Sequence, residues 1–280
     1  MSKNINEVEL TIFDLETTGL DPRLGERIVE IAAIRLKDKR SLAVFQSLVN
    51  PGKKTISLEA FSVNHITQEM LKDAPLIDEV LPKFLDFISG SCIAAYNAPF
   101  DLNFLSSELR LIKRQLPEDI EIIDILTMAK KMLPGIERYA LSFVAKHFGI
   151  GAIQEHRALS DTHLTVEVFH RLNSILIQKG IVDFEQYISL FGLDSQLLEN
   201  INNAKLACVQ RALDLGASLK LKYLTAYNAQ ITEREIIPRL ITQRRNRTYL
   251  VGYCKLREEE RAFRIENILR LEMGRPLTDQ

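Results

Sequence analysis

The feature that most constrains this chain is a short apolar run that carries two acids. Between Thr11 and Gly19 the sequence reads TIFDLETTG, in which Asp14 and Glu16 are one residue apart. Side chains at positions i and i+2 of a strand point to the same face, so the run predicts a buried strand with two neighbouring carboxylates. Buried acids need a partner or a metal, and we interpret the strand as half of a site for a hard divalent cation. The alternative is an edge strand with two solvated acids, which the apolar neighbours disfavour.

Length and composition are typical of a folded globular protein. Of the 280 residues, 46% are hydrophobic and 26% are charged, which allows one large or two ordinary domains with a sizeable core. No apolar run reaches the roughly 18 residues of a membrane span, and the polar N-terminus does not resemble a signal peptide. The three cysteines are scattered, without disulfide or metal-ligand spacing. We therefore expect no membrane partner and a cytoplasmic location.

The charges are distributed unevenly along the chain. Residues 1–200 contain 21 Lys and Arg against 28 Asp and Glu, a balance of −7, whereas residues 201–280 contain 15 against 9, a balance of +6. A basic segment on an acidic body indicates a polyanionic partner. The alternative is an ordinary solvated face.

The first two thirds of the chain alternate between strand-like and helix-like patterns. After the first strand, residues 28–36 and 42–49 form two more apolar runs with short connections, which predicts an antiparallel meander. Short buried strands are predicted at 91–96 and 121–124. Helices with apolar residues three and four positions apart are predicted at 76–88, 97–111, 125–132, 138–148 and 158–177. This order favours an α/β fold with a mixed sheet.

The pattern changes after residue 204. Residues 179–203 are less regular and are interpreted as a linker made of short helical pieces. One helix is predicted at 204–216. Short strands separated by polar turns follow it and predict a small barrel or sheet, at 218–223, 235–240, 248–253 and 261–265.

Further candidate ligands follow from where the predicted elements end. Asp101 lies in the first turn of the helix that follows strand 91–96, and ligands in α/β sheets bind beyond the carboxyl ends of strands. An acid that merely favours a helix N-terminus is the alternative. His156 lies in a loop and Asp161 lies one turn into the next helix, so both can approach the same point. A histidine in such a loop is otherwise an ordinary surface residue.

Three motifs occur in a fixed order in this sequence. They are Asp-x-Glu-Thr-Thr-Gly at 14–19, Asn-x-x-Phe-Asp at 97–101 and His-Arg-Ala-x-x-Asp at 156–161. Together they resemble the DEDDh exonucleases, which include the proofreading subunits and segments of bacterial replicative polymerases. The resemblance covers about residues 8–175. It implies a domain at 8–178 with a ribonuclease H-like, mixed five-stranded sheet flanked by helices, and removal of nucleoside 5′-monophosphates from 3′ ends.

The resemblance also implies the roles of the site residues. Asp14, Glu16, Asp101 and Asp161 would hold two divalent metal ions, Mg²⁺ or Mn²⁺, and His156 would be the general base. Two metal ions about 3.5–4 Å apart can activate a water and stabilise charge on the phosphate oxygens. A histidine suits the removal of a proton at neutral pH. The expected substrate is the 3′ end of a single-stranded nucleic acid, DNA or RNA.

Four neighbouring residues are candidates for substrate binding. Thr17 and Thr18 follow the acidic strand and could contact the terminal nucleotide, although a turn role fits them equally well. Asn97 could orient Asp101, touch substrate or cap the helix. Phe100 offers a ring for base stacking.

Residues 204–274 resemble a WYL domain, which implies a small SH3-like β-barrel that binds a ligand or nucleic acid. The resemblance rests on the predicted helix and on four segments, LKLKY, REIIPRL, TYLVGY and ERAFRI. Thr248 and Asn267 depart from its usual Trp and Arg. The candidate binding residues are three that match the pattern and three in a nearby basic loop: Tyr249, Arg261 and Arg264, then Arg244, Arg245 and Arg247. A purely structural barrel is the alternative.

Two other functions fit the same sequence. One is a regulatory protein that binds nucleic acid or a nucleotide, in which the nuclease fold is only a scaffold. Retention of four acids and a histidine in register disfavours it. The other is a proofreading subunit whose C-terminal unit docks on a polymerase or repair complex.

Overall fold

The computed structural model describes residues 3–151, 154–193, 196–245 and 247–276, without the side chains of 196–200, 275 and 276. Within these ranges the chain forms two five-stranded sheets, each with its own helices. The first sheet has the order β3-β2-β1-β4-β5. Its strands are β1 (Glu9–Thr17), β2 (Ile28–Lys37), β3 (Arg40–Leu48), β4 (Cys92–Ala95) and β5 (Ile122–Asp124).

The first sheet is mixed, as predicted. Strands β1, β2 and β3 form an antiparallel meander, and β4 and β5 continue the sheet parallel to β1. Central strand β1 is covered on both faces. Leu10 and Ile12 pack in one hydrophobic cluster, and Phe13 and Leu15 pack in another. Burial on both faces explains the nearly continuous apolar sequence of this strand.

Helices flank both faces of this sheet. Helices α3 and α4 pack with one cluster and α5 to α8 with the other. The helix predicted at 138–148 begins only at 141, because Ala140 is extended and occupies the N-cap position. The helices are α1 (Leu58–Asn64), α2 (Gln68–Leu71), α3 (Ile77–Ile88), α4 (Ala98–Leu111), α5 (Ile125–Met132), α6 (Leu141–His147), α7 (Ala158–Gln178) and α8 (Phe184–Phe191).

The C-terminal unit is one helix on an antiparallel sheet. Val209 and Ala212 of the helix pack on Leu219, Ile236 and Phe263 of the sheet. The strand order is β10-β6-β7-β8-β9. The elements are α9 (Gln196–Asp214), β6 (Ala217–Leu224), β7 (Ile231–Arg244), β8 (Arg247–Cys254), β9 (Glu259–Arg264) and β10 (Ile268–Pro276).

This sheet confirms the small sheet predicted for the C-terminal unit and extends it. Strand β7 is longer than predicted, because it pairs along its length with β6 and then β8, with a register shift between Pro238 and Leu240. Strand β10 was not predicted from periodicity. Hydrogen bonds between β9 and β10, which would close the sheet into a barrel, are not among the strand pairings of the described residues.

The two units are packed against each other. Leu224 and Leu269 of the C-terminal sheet belong to the same hydrophobic cluster as α5, α7 and α8. Helix α8 falls within the range 179–203 that we predict as a linker, and its Tyr187 and Phe191 are buried in that cluster. The domain boundaries themselves stay predictions. No helix in the described ranges has the length and apolar character needed to cross a membrane.

Candidate metal centre

Three carboxylates converge where β1 ends. One oxygen each of Asp14, Glu16 and Asp161 lies within 4.8 Å of the other two. The strand period places Asp14 and Glu16 on the same face of β1. This is the face covered by α7, whose first turn carries Asp161. Carboxylate oxygens in this arrangement are ligands that suit a hard divalent cation.

The fourth acid lies beside this triad. Asp101 is in the first turn of α4, is only 3% exposed, and accepts a hydrogen bond from the backbone N–H of Leu15 in β1. Helix α4 begins directly after β4 because Asn97 takes a left-handed conformation, with φ of 69°, and Pro99 follows in the first turn. The sharp entry places Asp101 next to Asp14.

The electrostatics of the four acids show why a cation fits here. Burial, followed by the charge of Asp101, raises the pKa of Asp14 well above its usual value. Burial, followed by the charge of Asp161, raises the pKa of Glu16 to about 8. Burial also raises the pKa of Asp101 and Asp161. Asp101 and Asp161 are buried, and Asp14 and Glu16 are half-buried. These four carboxylates repel one another, and divalent cations would supply the positive charge that compensates them.

The predicted base lies at the rim of this centre. Nδ1 of His156 is 4.0 Å from Oδ2 of Asp161, and the side chain is 44% exposed. Its backbone has a positive φ of 53°. The preceding residues also turn towards Asp161, which accepts hydrogen bonds from Nε2 of Gln154 at 3.2 Å and from the N–H of Glu155 at 3.3 Å. The loop and the helix start therefore meet, as their spacing predicts.

Sequence reasoning missed the acid that anchors this loop. Glu30 of β2 is fully buried and accepts two hydrogen bonds from Arg157, at 2.9 and 3.0 Å, and one from the N–H of Ala158 at 3.2 Å. Gln46 of β3 donates a further bond to it at 3.0 Å. Glu30 of β2 thus caps the start of α7 and fixes Arg157 and Ala158, which lie between His156 and Asp161 in the sequence. Its signal in the sequence was a single acid inside the apolar run IVEIAAI.

A cavity of about 530 Å³ adjoins Glu16. Of the predicted substrate residues, Thr17 and Phe100 line it. Its mouth carries the strongly exposed side chains of Leu20 and Leu24. Asn64 also lines it, forms a hydrogen bond with the Glu16 carboxylate, and was not predicted.

The other two predicted substrate residues, Thr18 and Asn97, are not among the residues that line this cavity. The hydroxyl of Thr18 donates to Glu26 at 2.5 Å and accepts the N–H of Arg27 at 2.9 Å, which fits the alternative turn role. Asn97 makes no side-chain capping bond, so the capping alternative is not borne out. Substrate roles for the predicted residues stay predictions.

The predicted C-terminal binding residues fall into two groups. Tyr249 and Arg264 are directly paired across β8 and β9. Arg261 is three residues from Arg264 on a strand and therefore faces the other side of the sheet, where it pairs with Glu259. The hairpin tip between β7 and β8 brings three arginines together: Arg244, Arg245 and Arg247.

Two family descriptions match this chain. The model of the family described as Exonuclease matches residues 11–169, and the model of the WYL domain matches residues 204–273. The nuclease domain of 3′hExo, a DEDDh family member bound to rAMP, superposes with a TM-score of 0.54 at 19% identity and covers 64% of this chain and 97% of that one. This likeness confirms the predicted fold of the first unit.

Curated relatives are more similar in sequence. The DNA polymerase III subunit epsilon of Rickettsia felis is 42% identical over 167 residues, which are 58% of this chain and 72% of that protein. The PolC-type DNA polymerase III of Caldanaerobacter subterraneus subsp. tengcongensis is 36% identical over 175 residues, which are 62% of this chain and 12% of that protein. This chain thus spans about an eighth of the PolC-type polymerase.

Proposed function

This chain belongs to the Exonuclease family, and on that premise we propose that its N-terminal unit hydrolyses nucleic acids from their 3′ ends and releases nucleoside 5′-monophosphates. The observation that carries the proposal is the convergence of Asp14, Glu16 and Asp161, with Asp101 buried beside them. A centre of this kind has no evident structural use, because its acids destabilise one another by burial and repulsion.

The four acids would hold two divalent cations, Mg²⁺ or Mn²⁺. When bound, such ions activate a water and stabilise negative charge on the phosphate oxygens. The protein holds its acids ready on rigid elements, the end of β1 and the first turns of α4 and α7. The ring of His156 faces Asp161 through Nδ1, which leaves Nε2 to accept the proton of the attacking water.

The cavity beside Glu16 would receive the terminal nucleotide. Its volume of about 530 Å³ lies within the range of small-molecule sites. Leu20, Leu24 and Phe100 give it an apolar wall for the face of a nucleobase. The backbone around Thr17 would meet the sugar. It is held by Nδ2 of Asn64, which donates to the carbonyl oxygen of Thr17 at 3.4 Å.

The curated relatives direct the choice of substrate and partner. Because their names are those of DNA polymerase III subunits, we propose DNA 3′ ends as the substrate and a polymerase or repair complex as the partner. The hairpin tip carries three arginines, which we propose bind the phosphates of a long single strand. A cytoplasmic location stays a prediction from the free cysteines.

Hydrolysis of oligonucleotides labelled at one end tests the proposal. With Mg²⁺ or Mn²⁺, a 5′-labelled single strand should shorten stepwise and a 3′-labelled strand should release labelled mononucleotide at once. The matched control is Asp14→Asn, which keeps the shape of the side chain and removes its charge. Equal cleavage by the control would contradict the site, and release from the 5′ end would contradict the direction. Parallel reactions with RNA and with mismatched duplex ends define the substrate.

A further inference from the structure

A polar seam joins the two units away from the acidic centre. Lys131, in the last turn of α5, extends from the N-terminal unit to the segment between β9 and β10. Its Nζ donates to Oδ1 of Asn267 at 2.9 Å and lies 3.9 Å from Oε1 of Glu266. The side chain is only 16% exposed. A lysine of one unit is therefore enclosed by the other.

A second lysine, from the C-terminal unit, reaches the same segment. Lys205 of α9 donates through Nζ to the hydroxyl of Ser189 at 2.5 Å and to the carbonyl of Ile265 at 3.5 Å. The hydroxyl of Ser189 in turn donates to the carbonyl of Glu266 at 3.1 Å. The two lysines thus contact consecutive residues of one short segment, 265–267.

The charges at this seam do not balance. Arg264 adds a third cation, with Nη1 at 3.9 Å from Oε1 of Glu266. Among the described residues, Glu266 is the acid that interacts with both lysines. Its contacts with Lys131 and Arg264 are ion pairs that are too long to be hydrogen bonds. One carboxylate at that distance does not neutralise three cations.

Burial, together with neighbouring cations, lowers the pKa of both lysines. Burial, opposed by Glu266 and reinforced by Arg264 and Arg247, lowers the pKa of Lys131 to about 8. Burial, followed by the charge of Lys131, lowers the pKa of Lys205 to about 8 as well. Buried charges without full compensation are costly, and a bound anion would supply the missing compensation.

We propose that the seam between the two units is a binding site for a phosphate monoester or inorganic phosphate, held by Lys131, Lys205 and Arg264. Each lysine uses at most two of its three donors in the contacts above, and Arg264 presents a guanidinium that suits phosphate oxygens. Because the cations come from both units, the bound anion also ties the units together. The site is separate from the hydrolytic centre and is not needed for the function proposed above.

Calorimetric titration of the full-length protein tests the site. The probes are inorganic phosphate and dAMP, and EDTA is present so that the acidic centre, without metal, repels both. Wild-type protein should bind at one saturable site. Binding of phosphate assigns the site to the phosphate group alone, whereas binding of dAMP alone assigns it to a nucleotide. If neither probe binds, the proposal is wrong.

Two variants and one control locate the binding. Lys131→Met and Lys205→Met should each weaken binding about tenfold or more, because each removes a charge-assisted hydrogen bond. Lys130→Met removes an exposed charge from the same turn of α5 and should bind as wild type does. Unchanged binding by Lys131→Met would overturn the proposal. Thermal unfolding confirms that each variant folds, and Lys131→Gln or Lys205→Gln replaces the corresponding Met variant if it does not.

A separate hydrolysis assay keeps this proposal distinct from the first one. Lys131→Met should still cleave a short oligonucleotide with Mg²⁺, because Lys131 lies outside the acidic centre. Absence of cleavage by the wild-type protein would contradict the proposed nuclease function and leave the calorimetric result standing.

Discussion

Glu30 offers the sharpest test of how this fold holds its candidate site. The perturbations are Glu30→Gln and Glu30→Ala. The wild-type carboxylate accepts four hydrogen bonds, two from Arg157 and one each from the N–H of Ala158 and from Gln46. Ala158 is the first residue of α7, and Arg157 immediately precedes the helix. We therefore expect Glu30 to act through position, by holding His156 and Asp161 in register with β1.

The magnitude follows from what each variant leaves unpaired. Glu30→Ala leaves the N–H of Ala158 buried without a partner, which costs about 1–3 kcal/mol. Breaking a buried ion pair costs about 3–5 kcal/mol, but the Arg157 side chain is 36% exposed and can turn towards water. We therefore expect Glu30→Ala to lose about 3 kcal/mol of unfolding free energy. Glu30→Gln keeps one acceptor oxygen and should lose less.

The effect on turnover separates positioning from simple stability. A displacement of about 1 Å at a reacting group can lower the rate about 100-fold. The assay is run without denaturant, at a temperature where both variants are folded. Under these conditions kcat on a short single strand should fall about 10- to 100-fold for Glu30→Gln, with KM nearly unchanged. Arg157→Lys retains the charge without the two-pronged contact and should lie between this variant and the wild type.

The assay combines urea unfolding with steady-state hydrolysis. The matched control is Glu9→Ala, which breaks the 2.7 Å ion pair with Arg35 at the other end of β1. This control should lose stability and keep kcat. If folded Glu30→Gln turned over as fast as wild type, Glu30 would be a structural residue only and the reasoning would be refuted.

Four further outcomes are expected. Asp14→Asn should abolish metal-dependent cleavage while circular dichroism and thermal unfolding stay those of a folded protein; normal cleavage would reject the ligand set. His156→Ala should lower kcat far more than it raises KM, whereas a pure KM effect would make it a binding residue. Changing the three arginines of the hairpin tip to Ser should weaken binding of a long single strand in Ca²⁺ and flatten its salt dependence, and equal slopes would point to another role for the tip. In EDTA the melting temperature should fall as pH rises from about 5 to about 8, because Glu16, with a pKa raised from 4.5 to about 8, keeps a proton in the folded state that the unfolded chain has lost. Mg²⁺ should reverse this fall. A melting temperature that rises with pH would contradict the burial of this acid.

Local patterns predicted the acidic centre because each part of it is set locally. The two-residue period of β1 places Asp14 beside Glu16, and a helix that starts after a strand places Asp101 at the sheet edge. His156 and Asp161 are five residues apart and meet for the same reason. The helices that carry Asp101 and Asp161, α4 and α7, were therefore predicted nearly to their ends.

The contacts that support the centre were not predictable in this way. Glu30 and Arg157 are 127 residues apart in sequence, and neither segment contains a pattern that indicates the other as its partner. The length of β7 depends on having partners on both edges, and the burial of α8 depends on a groove beside β5 and α5. Pairings of this kind follow from the assembled sheet and not from the period of any one segment.

The packing of α8 changes how the role of the C-terminal unit can be tested. Removing everything after residue 180 would delete Tyr187 and Phe191 from the core that also holds α5 and α7, so weak binding by such a fragment would report damage to the nuclease unit. Substitutions at the hairpin tip leave this core intact, because the arginines there are exposed. The seam variants are equally selective, since Lys131 and Lys205 contact the segment 265–267 and none of the four acids. Because Arg247 also acts on the pKa of Lys131, changing Arg244 and Arg245 alone separates binding at the tip from binding at the seam. Hydrolysis at the acidic centre should be independent of both.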